Sequence, residues 1–459
     1  MRVLTQTLTF RRIHAKTNSQ LNGYLQTISF SSSTISENSS IRKSKSTIPN
    51  ALYSWGTSAK GTIPIKKVLD EATKGKSGTS ILSMGGSSPT IIDHPNKIDW
   101  YESFGLAKDS TNFIQSVVCG PTATAVLLSD HTCFTFGDNS SGQLGHGHKN
   151  DILIPTKLQL PDSTSLVSNE IRTVALGQYF SAFIDIKGDL YTCGYNGSVM
   201  AEGVGCLGHG YIPSEYLYTP TLVQSLVEDG CYVSQVTVGN AHMTVLTTEG
   251  EVLTCGAGSY GRCGNFESLD QVFLEPVELL AGERDVVQIA GGKDFTLALK
   301  KDGIVFAWGR NDKGQCGTGT GLAVDMYAME LLPSPVEGLL EGRKVVKVSA
   351  GSNHAAAITD NGELFLWGMG QYFQPEYISE LGHTKVVDVS CGNNYTLAVG
   401  EDGKLYSFGK GKTGVLGLAS DKAAVIPTVV EGLLGREIIS VSAGWSHVAC
   451  LVQENPELT

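Results

Sequence analysis

No run of about 18 consecutive apolar residues occurs in the 459-residue chain, which excludes a membrane-spanning helix. The ten cysteines include no Cys-x-x-Cys pair, so neither a zinc ribbon nor a dithiol redox site has support. Cys133, Cys193, Cys255, Cys391 and Cys450 fall on strand or repeat positions. They read as buried free thiols, which suits a reducing compartment. No Gly-x-Ser-x-Gly stands in a supporting context and no His-Glu-x-x-His occurs, so the usual hydrolase and metalloprotease chemistries have no starting point. Residues 409–414 (GKGKTG) resemble a phosphate loop only superficially. They follow a strand and precede no helix whose amides would hold a phosphate. Acids are nearly missing from the first fifty residues, where seven Lys/Arg stand against Glu37 alone, a net of +6 that leaves −17 on the remainder. An acidic body repels phosphate backbones and argues against non-specific nucleic-acid binding.

What abounds is glycine: 54 residues, about 12% against a usual share of roughly 7%. These glycines are periodic. The pairs Gly120/Gly137, Gly177/Gly194, Gly239/Gly256, Gly292/Gly309, Gly351/Gly368 and Gly392/Gly409 each span seventeen residues. A seventh copy opens at Gly444 without a partner downstream, and Trp55-Gly56 at the other end of the chain supplies the missing half. Within one unit, residues 233–264, short runs of alternating apolar residues are separated by turns, the pattern of antiparallel strands. Glu249-Gly250 predicts a two-residue hairpin, recurring as Lys187-Gly188, Asp302-Gly303, Asn361-Gly362 and Asp402-Gly403. Ser129-Asp130-His131 takes that place in the first full unit and lacks the glycine.

The seventeen-residue spacing is constant, while the steps between successive units range from 41 to 62 residues. Superposable hairpins with variable connections are what blades around a common axis require, whereas a linear solenoid needs polar end caps. The reading is an all-β chain forming a seven-bladed β-propeller. It closes by pairing residues 52–56 with the strands near 438–444 and 448–452, which hides both edges.

Residues 1–50 form a basic, Ser/Thr-rich leader with Arg2, Arg11, Arg12 and Lys16 beside Val3, Leu4, Leu8 and Ile13. This composition fits a mitochondrial transit peptide; a plain basic tail and a plastid address are the alternatives. The propeller occupies 51–459.

The strings 136–147 (FGDNSSGQLGHG), 308–319 (WGRNDKGQCGTG), 408–417 (FGKGKTGVLG), 350–368 (AGSNHAAAITDNGELFLWG) and 443–451 (AGWSHVACL) resemble the repeat of the regulator of chromosome condensation family. The repeat runs aromatic-Gly, five more residues to Gly, then x-Leu-Gly, with Gly-x-x-His upstream. The resemblance covers roughly 51–452 and implies a seven-bladed ring. The second copy departs by stretching the Gly194–Gly205 step around residues 198–204. The copy after Trp367-Gly368 lacks the x-Leu-Gly end and carries residues 368–381 (GMGQYFQPEYISEL) instead, and residues 65–115 read as long, polar and irregular.

Trp55, Gly56, Gly137, Gly194, Gly256, Trp308, Gly309, Trp367, Gly368 and Gly409 are expected to build the repeat. His242, His354 and His447 share one register with Phe180, Phe295 and Tyr395. Interchange with aromatics marks a packing role rather than ligation. His146, His148 and His209 lack a third metal ligand, and neither metal nor cofactor is implied. Candidate partner contacts are Tyr372, Phe373, Glu376 and Tyr377, read as an aromatic-acidic loop, and Glu202 in the stretched loop. The first functional reading is a non-enzymatic scaffold, a monomeric ring that binds a protein or ribonucleoprotein partner. By resemblance to the family's mitochondrial branch, it serves ribosome assembly or RNA maturation in the matrix, with RNA contact indirect. The alternative is guanine-nucleotide exchange on a small or dynamin-type GTPase, as the founding member does for Ran, with Glu202 as the wedge and a nuclear or cytoplasmic address. A third reading, an accessory ring of a ubiquitin ligase or channel, finds no further domain after the repeats.

Overall fold

The structure is a computed structural model that describes residues 50–64, 90–106, 112–161, 170–197, 204–212, 214–282, 284–319 and 327–453. Seven four-stranded antiparallel sheets succeed one another. Six are built from consecutive strands, over residues 114–157, 171–222, 233–276, 286–335, 345–377 and 386–429. The seventh joins Glu437–Ala443 and His447–Gln453 to Asn50–Thr57 and Ile91–Ile98. The first strands of successive blades touch all the way round, Glu437–Ala443 meeting Ile114–Cys119, so the propeller is closed.

Closure is a seven-residue antiparallel ladder from Asn50↔Gln453 to Gly56↔His447. Trp55 is fully buried and donates its indole N–H to the carbonyl of Val415 in the sixth blade at 2.8 Å. Trp308 and Trp367 do the same to Arg262 and Gln315 of their preceding blades, both at 3.0 Å. The N-terminal tryptophan therefore occupies a true repeat position. A second relay crosses the seam along the first strands. The hydroxyls of Ser349, Ser390 and Ser442 accept from the backbone N–H of Cys391, Ala443 and Cys119, each in the following blade. Gly56 shares its left-handed backbone with Gly137, Gly194, Gly256, Gly309, Gly368 and Gly409, φ between 101° and 119°. A Cβ on Gly56 would stand 2.4 Å from the carbonyl oxygen of Ser446, so a side chain there would break the seam.

Two sequence expectations need correction. The hairpins are not two-residue turns. Thr247 N–H bonds to Glu251, Gly250 N–H bonds back to Thr247, and the glycine alone carries positive φ. This is a three-residue loop with a glycine bulge, a geometry that leaves the residue before Gly in an ordinary conformation. In the first blade His131 takes the glycine's place at φ 63°. Secondly, residues 65–115 are not all irregular: Ile91–Ile98 is the outermost strand of the seventh blade, paired with Asn50–Thr57. Its sequence hides the strand because it is half solvent-facing and contains Pro95. Every outermost strand contains proline, at Pro95, Pro155, Pro220, Pro276, Pro335, Pro375 and Pro427 among others. Proline donates no hydrogen bond, so it is confined to sheet edges and blunts them against pairing with other chains. The leader, residues 1–49, lies outside the described residues.

The seam makes a sharp prediction. Replacing Trp55 with Ala removes a buried indole and its bond to Val415, and is expected to lower stability by about 3–5 kcal/mol. Chemical denaturation of the full chain measures it; a change within about 0.5 kcal/mol, the range of a bland surface substitution, would contradict closure.

Candidate partner-binding faces

Antiparallel order sends the chain's connections to two opposite faces. One carries the turn between first and second strands and the loop between third and fourth, where the variable x-Leu-Gly segments lie. The other carries the second-to-third hairpins and the crossovers between blades. At the centre of the loop face, the ends of all seven first strands surround a small depression of about 110 Å³, lined by Gly120, Gly239, Gly292, Gly351, Gly392 and Gly444 among others. Lys293 is its one charged lining residue. The glycines are demanded by crowding: a Cβ on Gly392 would meet the Tyr395 ring at 2.2 Å and the Gly444 carbonyl oxygen at 2.8 Å.

The histidines open the second strands and join blades. His242 Nε2 lies 3.0 Å from Thr296 Oγ1, His354 Nε2 3.0 Å from Thr396 Oγ1, and His447 Nε2 2.8 Å from Thr124 Oγ1. Each threonine is the second residue of the next blade's second strand. Where the register holds an aromatic, the facing position is apolar and shares its core cluster: Phe180 with Met243, Phe295 with Ala355, Tyr395 with Val448. Polar partners thus pair with polar and apolar with apolar at six of the seven junctions; at the remaining one Ala123 holds the register and Ser181 the facing position. Thr124 also donates to the Thr62 carbonyl, so His447 must present Nε2–H to it. Burial lowers the pKa of all three histidines to about 4, since nothing solvates a charged ring there.

His146 and His209 fold back onto Thr135 and Thr192, 2.8 Å each, and burial lowers both to about 4 as well. Those threonines also hold the Leu144 and Leu207 carbonyls, fastening the x-Leu-Gly segments to the third strand. His148 stacks beside His146 at 6.5 Å. Among the described residues no group of three metal-ligating side chains converges. All ten cysteines are free; Cys231 is half-buried and the rest are buried. Desolvation raises the thiols, Cys119, Cys133 and Cys391 to about 12, which keeps them protonated and unreactive.

The expected aromatic-acidic loop is a strand. Tyr372–Tyr377 is the outermost strand of the fifth blade, with Gly368↔Tyr372, Leu366↔Glu376 and Phe365↔Tyr377 paired. It looked like a loop because Pro375 and its charged, exposed face mask the pairing. Phe373 covers the Gly314 turn of the fourth blade, Tyr377 packs on Phe365 at 5.6 Å, and Tyr372 and Glu376 face solvent. Glu202 lies outside the described residues; its loop is bracketed by a bridge between Gly197 and Val204.

Two features of the loop face were not anticipated. Tyr179, Tyr195, Tyr216 and Tyr218 form a chain of rings across the second blade with centroids 5.0–6.5 Å apart, capped by Lys149 Nζ 3.7 Å from the Tyr216 ring. Between the third and fourth blades, buried Arg262 donates to Asp294 at 2.9 Å, and Arg310 pairs with Asp312 at 2.8 Å. Both guanidiniums stack on Tyr260, 5.1 and 4.7 Å from its centroid. Spacing shows only part of either cluster: Tyr216 and Tyr218 alternate on one strand and Tyr195 pairs with Tyr216, but Tyr179 and Lys149 come from other segments, and Arg262 and Asp294 from different blades. Charge divides unevenly as well. Counting described residues, the connections on the loop face hold 8 acidic and 8 basic residues, those on the hairpin face 20 acidic and 8 basic.

Comparison with known proteins places this geometry. The Regulator of chromosome condensation (RCC1) repeat matches residues 130–184, 249–299, 302–358 and 402–451. A second form of the same repeat matches 114–143, 233–262, 286–315, 345–374 and 386–414. The chain belongs to the RCC1-repeat family. It is 36% identical over 259 residues to the secretion-regulating guanine nucleotide exchange factor of Bos taurus, covering 55% of this chain and 50% of that protein. The chain thus spans about half the length of that relative. It is 27% identical over 408 residues to the mitochondrial RCC1 domain-containing protein RUG3 of Arabidopsis thaliana, covering 87% of this chain and 75% of that one. The crystal structure of Prp20p from Saccharomyces cerevisiae, described with its binding to Gsp1p and histones, superposes with TM-score 0.71 at 21% identity, covering 90% and 93% of the two chains. At that identity the likeness concerns the fold.

The histidine register predicts a pH dependence. The unfolded chain takes up protons near the ordinary histidine value of about 6.5 and the folded ring resists until about 4. Stability is full above that upper value and declines as pH falls through the window. In a double-mutant cycle at neutral pH, His354→Phe and Thr396→Ala together recreate the Phe295–Ala355 pairing. They are expected to cost less than the sum of the single changes, by about 1 kcal/mol. Combined, they should flatten part of the acid decline in melting temperature.

Proposed function

We propose that the ring is a non-enzymatic scaffold that binds a protein or ribonucleoprotein partner in mitochondria, with residues 1–50 as its address. The observation that carries this reading is the alignment with the mitochondrial RUG3 protein along 87% of this chain, nearly the whole propeller. The geometry is in keeping. The closed ring buries nine of its ten cysteines and spends His242, His354 and His447 on packing between blades, its central depression is glycine-lined, and what remains accessible is chiefly two broad faces of loops and turns. Partners would be held through exposed side chains on the connections and at the outer strands, here the tyrosine chain of the second blade and solvent-facing Tyr372 and Glu376 on the outermost strand of the fifth.

Guanine-nucleotide exchange is the second reading, favoured by the 36% identity to the bovine exchange factor. Exchange needs no covalent chemistry, only a contact that favours the nucleotide-free GTPase.

Localisation and sedimentation of the full chain test the first reading. With a C-terminal fluorescent tag it is expected in mitochondria, in an assembly larger than the ring alone; a nuclear or diffuse signal overturns the address. Release of labelled GDP from Ran and from a dynamin-type GTPase is expected to stay at the uncatalysed rate, and saturable acceleration would move the second reading to first.

A further inference from the structure

The molecule's negative charge has a place. The loop face balances at zero, whereas the hairpin face carries a net −12 over its described connections. Phosphate polymers and anionic lipid surfaces are repelled by such a face. The same face holds half-exposed apolar side chains: Phe113, Ile186, Leu279, Ile304, Leu339 and Leu434, each between 42% and 53% exposed. Charge and apolar surface meet in one hollow of about 330 Å³ between the second blade's hairpin and its crossover to the third, lined by Lys187, Asp189, Val227, Gly230, Cys231 and Tyr232. Val227 and Tyr232 supply its apolar wall. Asp189 lies on its rim, and Glu228 and Asp229 follow Val227 on the crossover. None of these three carboxylates has an ion-pair partner among the described residues. Glu249 and Glu251 of the neighbouring hairpin are shared with Arg284, at 2.6 and 3.4 Å. Lys187 is the one cation lining the hollow.

We infer that the hairpin face docks a Lys/Arg-rich segment of a partner protein, which seats one apolar side chain between Val227 and Tyr232 while its cations meet Asp189, Glu228 and Asp229. The inference rests on reading the ring as a protein-binding scaffold and deepens it by naming the face and the chemistry. Charge complementarity selects the occupant. A basic polypeptide gains long-range attraction from the whole face, and an apolar anchor in a concave site supplies short-range affinity.

The full chain is titrated with a fluorescein-labelled synthetic lysine–leucine peptide, read by anisotropy. Asp189→Lys/Glu228→Lys/Asp229→Lys is compared with Glu215→Lys/Glu267→Lys/Asp421→Lys, which makes the same charge change with exposed residues of the loop face. The first set is expected to weaken binding about tenfold and the second less than about twofold, with melting temperatures unchanged. Tyr232→Ser, which alters no charge, is expected to weaken it severalfold. Equal effects of the two charge sets, or no effect of Tyr232→Ser, overturn the inference. In cells, a photo-crosslinking residue at Tyr232 is expected to capture basic protein segments. Capture only from Tyr211 on the loop face overturns the inference and leaves the scaffold intact; capture from neither overturns both.

Discussion

The ladder between Asn50–Thr57 and His447–Gln453 is the constraint on which this molecule depends. Six blades complete themselves from local sequence; the seventh cannot. If its N-terminal half were absent, Glu437–Ala443 and His447–Gln453 would form a bare hairpin with an open edge, and the first and sixth blades would each lose a neighbour. Three interactions defend the junction in the same way they join ordinary blades: the tryptophan on Val415, the serine relay into Cys119, and His447 on Thr124. The seam is built as a blade contact like any other, which lets the ring behave as a single cooperative body.

With the seam closed, what the ring offers to others is its connections and the proline-bearing outermost strands of its blades. The tyrosine chain and the Arg262–Asp294 network shape the loop face, while the carboxylates collect on the opposite one. The two faces of the ring thus differ in charge and in the side chains they expose.

Much of this was legible in the residues because repetition amplifies weak signals. The seventeen-residue glycine spacing announced the hairpins, and Trp55-Gly56 announced closure, since only one geometry gives a half-repeat at each end a use. The pairing rule at the histidine register is also written in the chain, where His242 predicts a polar Thr296 and Phe295 an apolar Ala355 one blade on. The outermost strands were harder. Tyr372–Tyr377 and Ile91–Ile98 face solvent on one side, so their alternation is diluted, yet a proline in each of the seven would have located them. The hollow at Val227 and the meeting of Lys149 and Tyr179 with the Tyr216 strand were not readable, because each joins segments far apart in the chain, Lys187–Asp189 with Val227–Tyr232 in the first case. Glu202 lies outside the described residues.

The pairing Asn50↔Gln453 also sets an order of events in biosynthesis. Asn50–Thr57, among the earliest parts of the ring to emerge from a ribosome or a translocation channel, has no inner neighbour until residue 453 has been delivered. Vectorial folding can assemble the middle blades one after another as they arrive, but the circle is joined only at the end of the chain, by a contact across nearly its whole length. Until then an unpaired strand is open to pairing with other edges.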